Sequence, residues 1–293
     1  MRASFGARWA LVAPPLAILL ALTVYPFAMA VWASLHSWTA SIPERPFIGL
    51  ENYRDMADDD RLGQAIRTTA LIIGPALVLE FALGLALALL FYQEFPFRRL
   101  LMVPILLPLT IAPVVVGFTA RMAFNQDYGF VNQLLSAITP GDVRLPWLAD
   151  PQLAPLAITL ADVWEWTPLM FLIMYTGLLT LPRGPLEAAA VDGASAGQRL
   201  VYVILPQLRY FIAVAILIRS LELIKLFDSV QLMTGGGPAR STETLGLYIY
   251  DVGFTFFNYG YASALSIGML VVVALLVALF LAIALRSDKV VVR

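Results

Sequence analysis

The sequence has no cysteine and a single histidine, and these two shortages remove several kinds of chemistry. Without cysteine there is no disulfide, no thiolate metal site and no thiol nucleophile. His36 has no Cys/His cluster near it, so neither a metal site nor a Ser/His/Asp arrangement finds support, and it reads as an ordinary interfacial histidine. Charge is scarce too. Only 13% of the 293 residues are Asp, Glu, Lys or Arg, where a soluble domain carries about a quarter. The net charge of -1 comes without a basic stripe or interleaved aromatics, which argues against nucleic acid as a partner. Internal repeats, low-complexity tracts and long linkers are also missing, so residues 1–293 read as one domain.

What is abundant is apolar surface, at 60% of residues. A helix that crosses a bilayer needs about 20 mostly apolar residues, because the hydrocarbon core is about 30 Å thick and each residue rises 1.5 Å. Six stretches meet that length, at 9–35, 68–92, 100–124, 153–181, 210–227 and 261–285, and predict an all-α membrane protein. The first is too long for a signal-peptide core, ends in Trp32 and Trp38 rather than a small-residue cleavage site, and is read as a retained span. Prolines recur in or beside the spans at Pro14, Pro15, Pro26, Pro75, Pro104, Pro108, Pro113 and Pro168. Membrane helices tolerate such kinks where neighbours satisfy the freed carbonyls, and kinked helices suit a transporter better than an anchor.

Lysine and arginine set the orientation. With an internal N-terminus, Arg2, Arg8, Arg98, Arg99, Arg183, Arg199, Arg209, Arg286, Lys289 and Arg293 fall inside, whereas only Arg45, Arg54, Arg61, Arg67, Arg144 and Arg240 fall outside. Both termini are therefore expected in the cytoplasm. The acids Asp58, Asp59 and Asp60 read as a solvated outer loop face.

One internal loop, over about 182–206, carries the most specific pattern. It reads as two short helices: Pro185 at a first helical position, Glu187 complementing the N-terminal dipole, alanines through the body, and Gly193 as the left-handed residue that ends it. Ser195 followed by Gln198 then forms a capping-box start for the second. At these residues the sequence resembles the inner-membrane permeases of ABC importers, whose hallmark is Glu-Ala-Ala, three residues, Gly, nine residues, Ile, any residue, Leu-Pro. Glu187, Ala188, Ala189, Gly193, Leu205 and Pro206 match in register, and Val203 replaces the isoleucine. The resemblance implies a type I (MetI-like) permease fold of six transmembrane helices. It also implies a coupling helix, with Asp192 among its residues, that docks in a cleft of a cytoplasmic ATPase subunit.

A second stretch narrows the resemblance to carbohydrate-uptake permeases of the maltose and glycerol-phosphate type. It comprises Phe227-Asp228-Ser229-Val230-Gln231-Leu232-Met233-Thr234-Gly235-Gly236-Gly237-Pro238, then Thr242-Glu243-Thr244, Tyr248-Ile249-Tyr250 and Gly260-Tyr261-Ala262-Ser263-Ala264-Leu265. The glycine run lacks the Gly-Lys-Ser/Thr of a phosphate-binding loop, so the chain has no ATPase site of its own.

Charges within spans are expensive and mark pathways or buried pairs. They are Glu80, Arg121, Asp162, Glu165, Arg219, Glu222 and Lys225. Asp162, Glu165, Trp166 and Leu169 share one face of the fourth span, and Arg219, Glu222 and Leu223 repeat the spacing in the fifth. Carboxylates beside an indole suit a sugar, since they accept from hydroxyls while the ring covers the apolar face of a pyranose. Position along the related permeases implies Asp162, Glu165, Trp166, Leu169, Arg219 and Leu223 as substrate contacts. Pairing of Glu165 or Glu222 with Arg219 or Lys225 to fix helix packing is the alternative, with Trp164 facing lipid; Glu80 and Arg121 are read as structural.

The expectation is thus a multi-pass permease subunit of the bacterial cytoplasmic membrane that carries out no covalent chemistry and binds no cofactor or metal. It would act with a second homologous permease, two ATPase subunits holding Mg-ATP and an external binding protein that delivers a mono- or disaccharide. Glycerol phosphate, favoured by Arg219 and Lys225, or polyamine, favoured by Asp162, Glu165 and Trp166, are alternative cargoes. An ion-coupled secondary transporter is a rival of a different class.

Overall fold

The computed structural model describes residues 5–288, with side chains described for 12–280 and 282. Arg2, Lys289 and Arg293, which entered the orientation count, lie outside the described residues, as do the side chains of Arg8 and Arg286. The described residues are helical with no strand; only the isolated bridges His36 to Phe47 and Thr39 to Asn258 have extended pairing.

Five helices contain continuous stretches long and apolar enough to cross a membrane: Val12–Ser34, Asp60–Tyr92, Leu153–Thr180, Ala196–Ile224 and Tyr259–Phe280. Four of the six predicted stretches fall on them directly. The third does not form one rod. Arg98–Thr110 and Pro113–Ala123 are separate helical segments bent by 100°. Pro113 starts the second segment and forces the residue before it out of the helical region; Ala112 is extended at φ -66°, ψ 139°, and Ile111 before it is extended too. The fifth prediction, 210–227, starts too late and ends slightly beyond the helix, which runs from Ala196 to Ile224. A single wide turn at Leu200–Ile204 keeps that rod unbroken. Pro206 cannot donate and would crowd the carbonyl four residues back, and the wider turn just before it accommodates the ring.

The chain divides into two compact units. The first comprises residues 1–62 and 248–274. Here Asn52 donates through Nδ2 to the Ser34 carbonyl at 2.8 Å and Tyr53 donates to Ser34 Oγ at 2.8 Å, tying a short helix to the end of the first span. His36 Nδ1 lies 2.7 Å from the Trp32 carbonyl and its ring stacks on the Trp32 indole. Asp58 and Asp60 are exposed, as a solvated loop requires, but Asp59 is not simply solvated. It accepts hydrogen bonds from Tyr248 and Tyr261 at 2.5 and 2.6 Å and from the Arg61 and Leu62 amides at 2.9 and 3.0 Å. Burial pushes the Asp59 carboxyl up, but these four donors outweigh it and hold the group below its ordinary value of 3.8.

The second unit comprises residues 63–247 and 275–293. Its larger core packs Phe91, Met170, Phe171, Met174, Leu178 and Leu208 between Asp60–Tyr92, Leu153–Thr180 and Leu205–Ile224. Gly84 lets two of these backbones touch, since a Cβ there would stand 2.5 Å from Met170 Cβ and 2.9 Å from the Phe171 amide nitrogen. A second cluster joins Ile72, Phe124, Trp147, Ile158, Val230 and Leu247.

Candidate functional site

Two places in the second unit carry the polar groups singled out in the sequence. The first is a buried charge cluster shared by three helices. Arg219, on Leu205–Ile224, donates through Nε and Nη2 to the two carboxylate oxygens of Glu80, on Asp60–Tyr92, at 2.6 and 2.7 Å. Nη2 also donates to Asp162, on Leu153–Thr180, at 2.8 Å. The guanidinium fork matches a carboxylate in two-point contact, which suits arginine and not lysine. Arg219 is 1% exposed and Glu80 0%, so neither has solvent to fall back on. The Trp166 ring lies 4.6 Å from the guanidinium carbon and covers its face.

Glu80, read from the sequence as structural, thus holds the centre of the constellation, and the alternative pairing of Arg219 with Glu165 or Glu222 does not form among the described residues. Its signal was available: a lone carboxylate within a long apolar helix must find a cation. The alternative pairing of Glu222 with Lys225 does form, at 3.0 Å, but three residues apart on an exposed face and not between helices.

Beside the cluster lies a cavity of about 260 Å³, bordered by Pro113, Asp162, Glu165, Trp166, Arg219, Glu222, Lys225, Phe227, Asp228 and Ser229. Four of the six predicted contacts, Asp162, Glu165, Trp166 and Arg219, border this space, whereas Leu169 and Leu223 do not. Leu223 is buried in the packing with Ala76 and Val163. Glu165 is 3% exposed, faces the cavity and takes no hydrogen bond or ion pair among the described residues. Trp164 points away and is half exposed, as a lipid-facing residue would be. Arg121 donates to the Leu232 carbonyl at 3.4 Å and borders a separate cleft with Phe118, Tyr128 and Trp147.

The second place is the loop at 182–206. Its first helix, Arg183–Val191, begins two residues earlier than predicted, which puts Pro185 at the third position and Glu187 beyond the first turn, too far in for the dipole argument. Its end is as expected: Gly193 is left-handed at φ 77°, its amide donates to Ala190 and the Ala194 amide reaches back to Ala189 at 2.9 Å. At Ser195 the capping box is complete, with Ser195 N donating to Gln198 Oε1 at 2.8 Å and Gln198 N to Ser195 Oγ at 3.3 Å. The predicted second short helix is the first turn of the long fifth helix, so the loop has one free-standing helix and not two. Glu187, Ala188, Asp192 and Gly193 are exposed, Ala189 is half-buried, and Leu205 and Pro206 stand where the rod resumes after the wide turn.

The family model described as "Binding-protein-dependent transport system inner membrane component" matches residues 80–293. The chain is 37% identical over 281 residues to the sulfoquinovosyl glycerol transport system permease protein of Agrobacterium fabrum, covering 94% of this chain and 89% of that one. It is 35% identical over 273 residues to the trehalose transport system permease protein of Mycobacterium tuberculosis, with 92% and 86% covered. It is 32% identical over 257 residues to the trehalose/maltose transport system permease protein of Thermococcus litoralis, with 88% and 86% covered. Among solved structures, a bacterial ABC transporter involved in import of the acidic polysaccharide alginate superposes with a TM-score of 0.80 over 95% of this chain and 96% of that one, at 22% identity. The same transporter in complex with an alginate-bound periplasmic protein superposes at 0.81, covering 96% of this chain and 94% of that one at 22% identity. These likenesses bear out the all-α permease fold.

Proposed function

The chain belongs to the inner membrane components of binding-protein-dependent transport systems, and from that premise we propose that it is the permease subunit of an ATP-driven sugar importer. Family membership sets aside the ion-coupled alternative. In support of sugar as cargo, relatives across nearly the full length are named for trehalose, maltose and lactose transport. A mono- or disaccharide delivered by an external binding protein is the reading for this chain. A second homologous permease completes the pathway, and two ATPase subunits hold Mg-ATP and hydrolyse it, because this chain has no phosphate-binding loop. Both termini and the 182–206 loop face the cytoplasm in this reading.

The observation that carries the mechanism is the continuity of the fifth helix. One rod runs from the capping box at Ser195 to Ile224 and holds Arg219 in its last third. Ser195 and Arg219 are thus about 36 Å apart along a stiff element. Closure of the ATPases pushes the exposed Arg183–Val191 helix, and the rod carries that displacement to the cavity. Sugar hydroxyls donate to Glu165, with Trp166 alongside. Ala190→Cys in the coupling helix should cross-link to the ATPase subunit in membranes, and failure to do so while uptake continues overturns the coupling assignment. Glu165→Gln and Trp166→Ala should lower uptake about tenfold, because a hydrogen bond to a charged group is worth about 1.5–3 kcal/mol. Unchanged sugar competition with reduced assembly would instead mean that these residues only pack.

A further inference from the structure

We propose that the cavity beside Glu165 selects for sugars that carry no anionic group, accepting neutral and amino-substituted ones, and that Glu165 and Asp228 impose this choice. The inference rests on reading that cavity as the cargo site.

Four carboxylates border the space, Asp162, Glu165, Glu222 and Asp228, against two cations, Arg219 and Lys225. Both cations already have carboxylate partners: Arg219 gives Nε and Nη2 to Glu80 and Nη2 also to Asp162, and Lys225 meets Glu222 at 3.0 Å. Glu165 has no such partner although it is 3% exposed, and the Asp228 side chain takes no hydrogen bond among the described residues. A buried carboxylate aimed at a cavity with its acceptors unfilled calls for a donor. Sugar hydroxyls supply donors, and an ammonium supplies charge-assisted ones. A carboxylate, phosphate or sulfonate brings only acceptors, and would meet a lining with four carboxylates against two cations. Exclusion by like charge is a recognised route to specificity.

The family likeness does not supply this selection. Relatives are named for trehalose, which is neutral, and for sulfoquinovosyl glycerol, which carries a sulfonate. Whatever part of the choice this chain makes must therefore lie in the lining of its own cavity.

The test uses the purified permease–ATPase complex without its binding protein, so that the delivery protein's own preference does not enter. Trehalose, glucosamine, glucuronate and glucose 6-phosphate are titrated, and protection against thermal unfolding gives apparent affinities. Trehalose and glucosamine should bind about tenfold or more tightly than the two anions. In the Glu165→Gln/Asp228→Asn double variant that gap should narrow severalfold, with glucosamine losing most. Equal binding of glucuronate and trehalose to the unmodified complex overturns the selection but leaves the sugar reading intact. Binding of no sugar of any charge overturns the sugar reading and the selection with it. The unmodified complex alone decides between these outcomes even where the double variant assembles poorly.

Discussion

The Glu80–Asp162–Arg219 cluster and the Arg183–Val191 loop are both polar, functionally loaded parts of one compact unit, yet they are completed in opposite ways. In the cluster every charge finds its counterpart inside the chain, at 2.6 to 2.8 Å, with almost no solvent contact. In the loop, the hydrogen bonds close locally through the Gly193 turn and the Ser195 cap, while the side chains face outward. Val191 is 87% exposed and Tyr202 76%, apolar surface that none of the described residues covers. In the proposed reading, the contrast separates what a permease must hold together by itself from what it offers to another subunit. A lesion in the first should be read as lost stability, and one in the second as lost transport.

The strongest way to break that contrast is Arg219→Met. It leaves Glu80 and Asp162 facing each other without a cation, and removing one member of a buried pair costs about 3–5 kcal/mol. Thermal unfolding of the purified complex should shift accordingly, and Arg219→Lys should rescue little because an ammonium cannot make the two-point contact. A variant with full stability and altered sugar competition would move Arg219 from scaffold to cargo contact.

Gly193→Pro tests the other side. Proline cannot adopt φ 77°, so the turn between the Arg183–Val191 helix and the fifth helix is lost. Uptake should fall to background while membrane insertion and the thermal transition of the spans stay close to those of the unmodified chain. A large loss of stability there would mean that the loop is part of the core after all. Ser195→Ala is a gentler version: loss of the cap should weaken the first turn by about 1 kcal/mol and reduce coupling efficiency in a transport assay partially, not fully.

The smallest effect is expected at Asp59, in the other unit, where a carboxylate is satisfied by neutral donors and not by a buried cation. Its folded pKa is depressed, so its contribution is fully present above the ordinary carboxylate value and is lost as pH falls through the lower folded one. Hydrogen exchange around Tyr248 and Tyr261 should therefore rise only in acid, below about pH 4. Tyr248→Phe, which removes one donor, should raise the folded value back toward the ordinary one and so shrink that acid-dependent rise.

Much of this was legible in the sequence because it is local. Apolar runs gave the spans, Gly193 gave the left-handed turn, and the Ser195/Gln198 spacing gave the cap, each decided within a few residues. The charge cluster was only half legible. Asp162 and Arg219 stood out as costly charges, but Glu80 lies 139 residues from Arg219, and no local spacing links them. The choice of Glu80 over Glu165 as partner depends on how three helices are rotated, which side-chain packing decides. The continuity of the fifth helix was hidden because Pro206 and the polar first turn look like a boundary, and the wide turn that absorbs the proline has no sequence signature of its own. Asp59 was hidden among its acidic neighbours, since only packing separates it from Asp58 and Asp60.

The bend between Arg98–Thr110 and Pro113–Ala123 has a consequence for parity. Counted as a crossing, the elbow makes the number of crossings even and returns the chain to the face where it began; counted as a turn back, it makes the number odd. Everything after Ala123 then changes face, including the loop proposed to meet an ATPase. Glu94 precedes the elbow and Asp142 follows it, with no other candidate span between them. Cysteines at those two positions should therefore label from opposite sides of a sealed vesicle, and one proline-built corner assigns inside and outside to all the chain that follows.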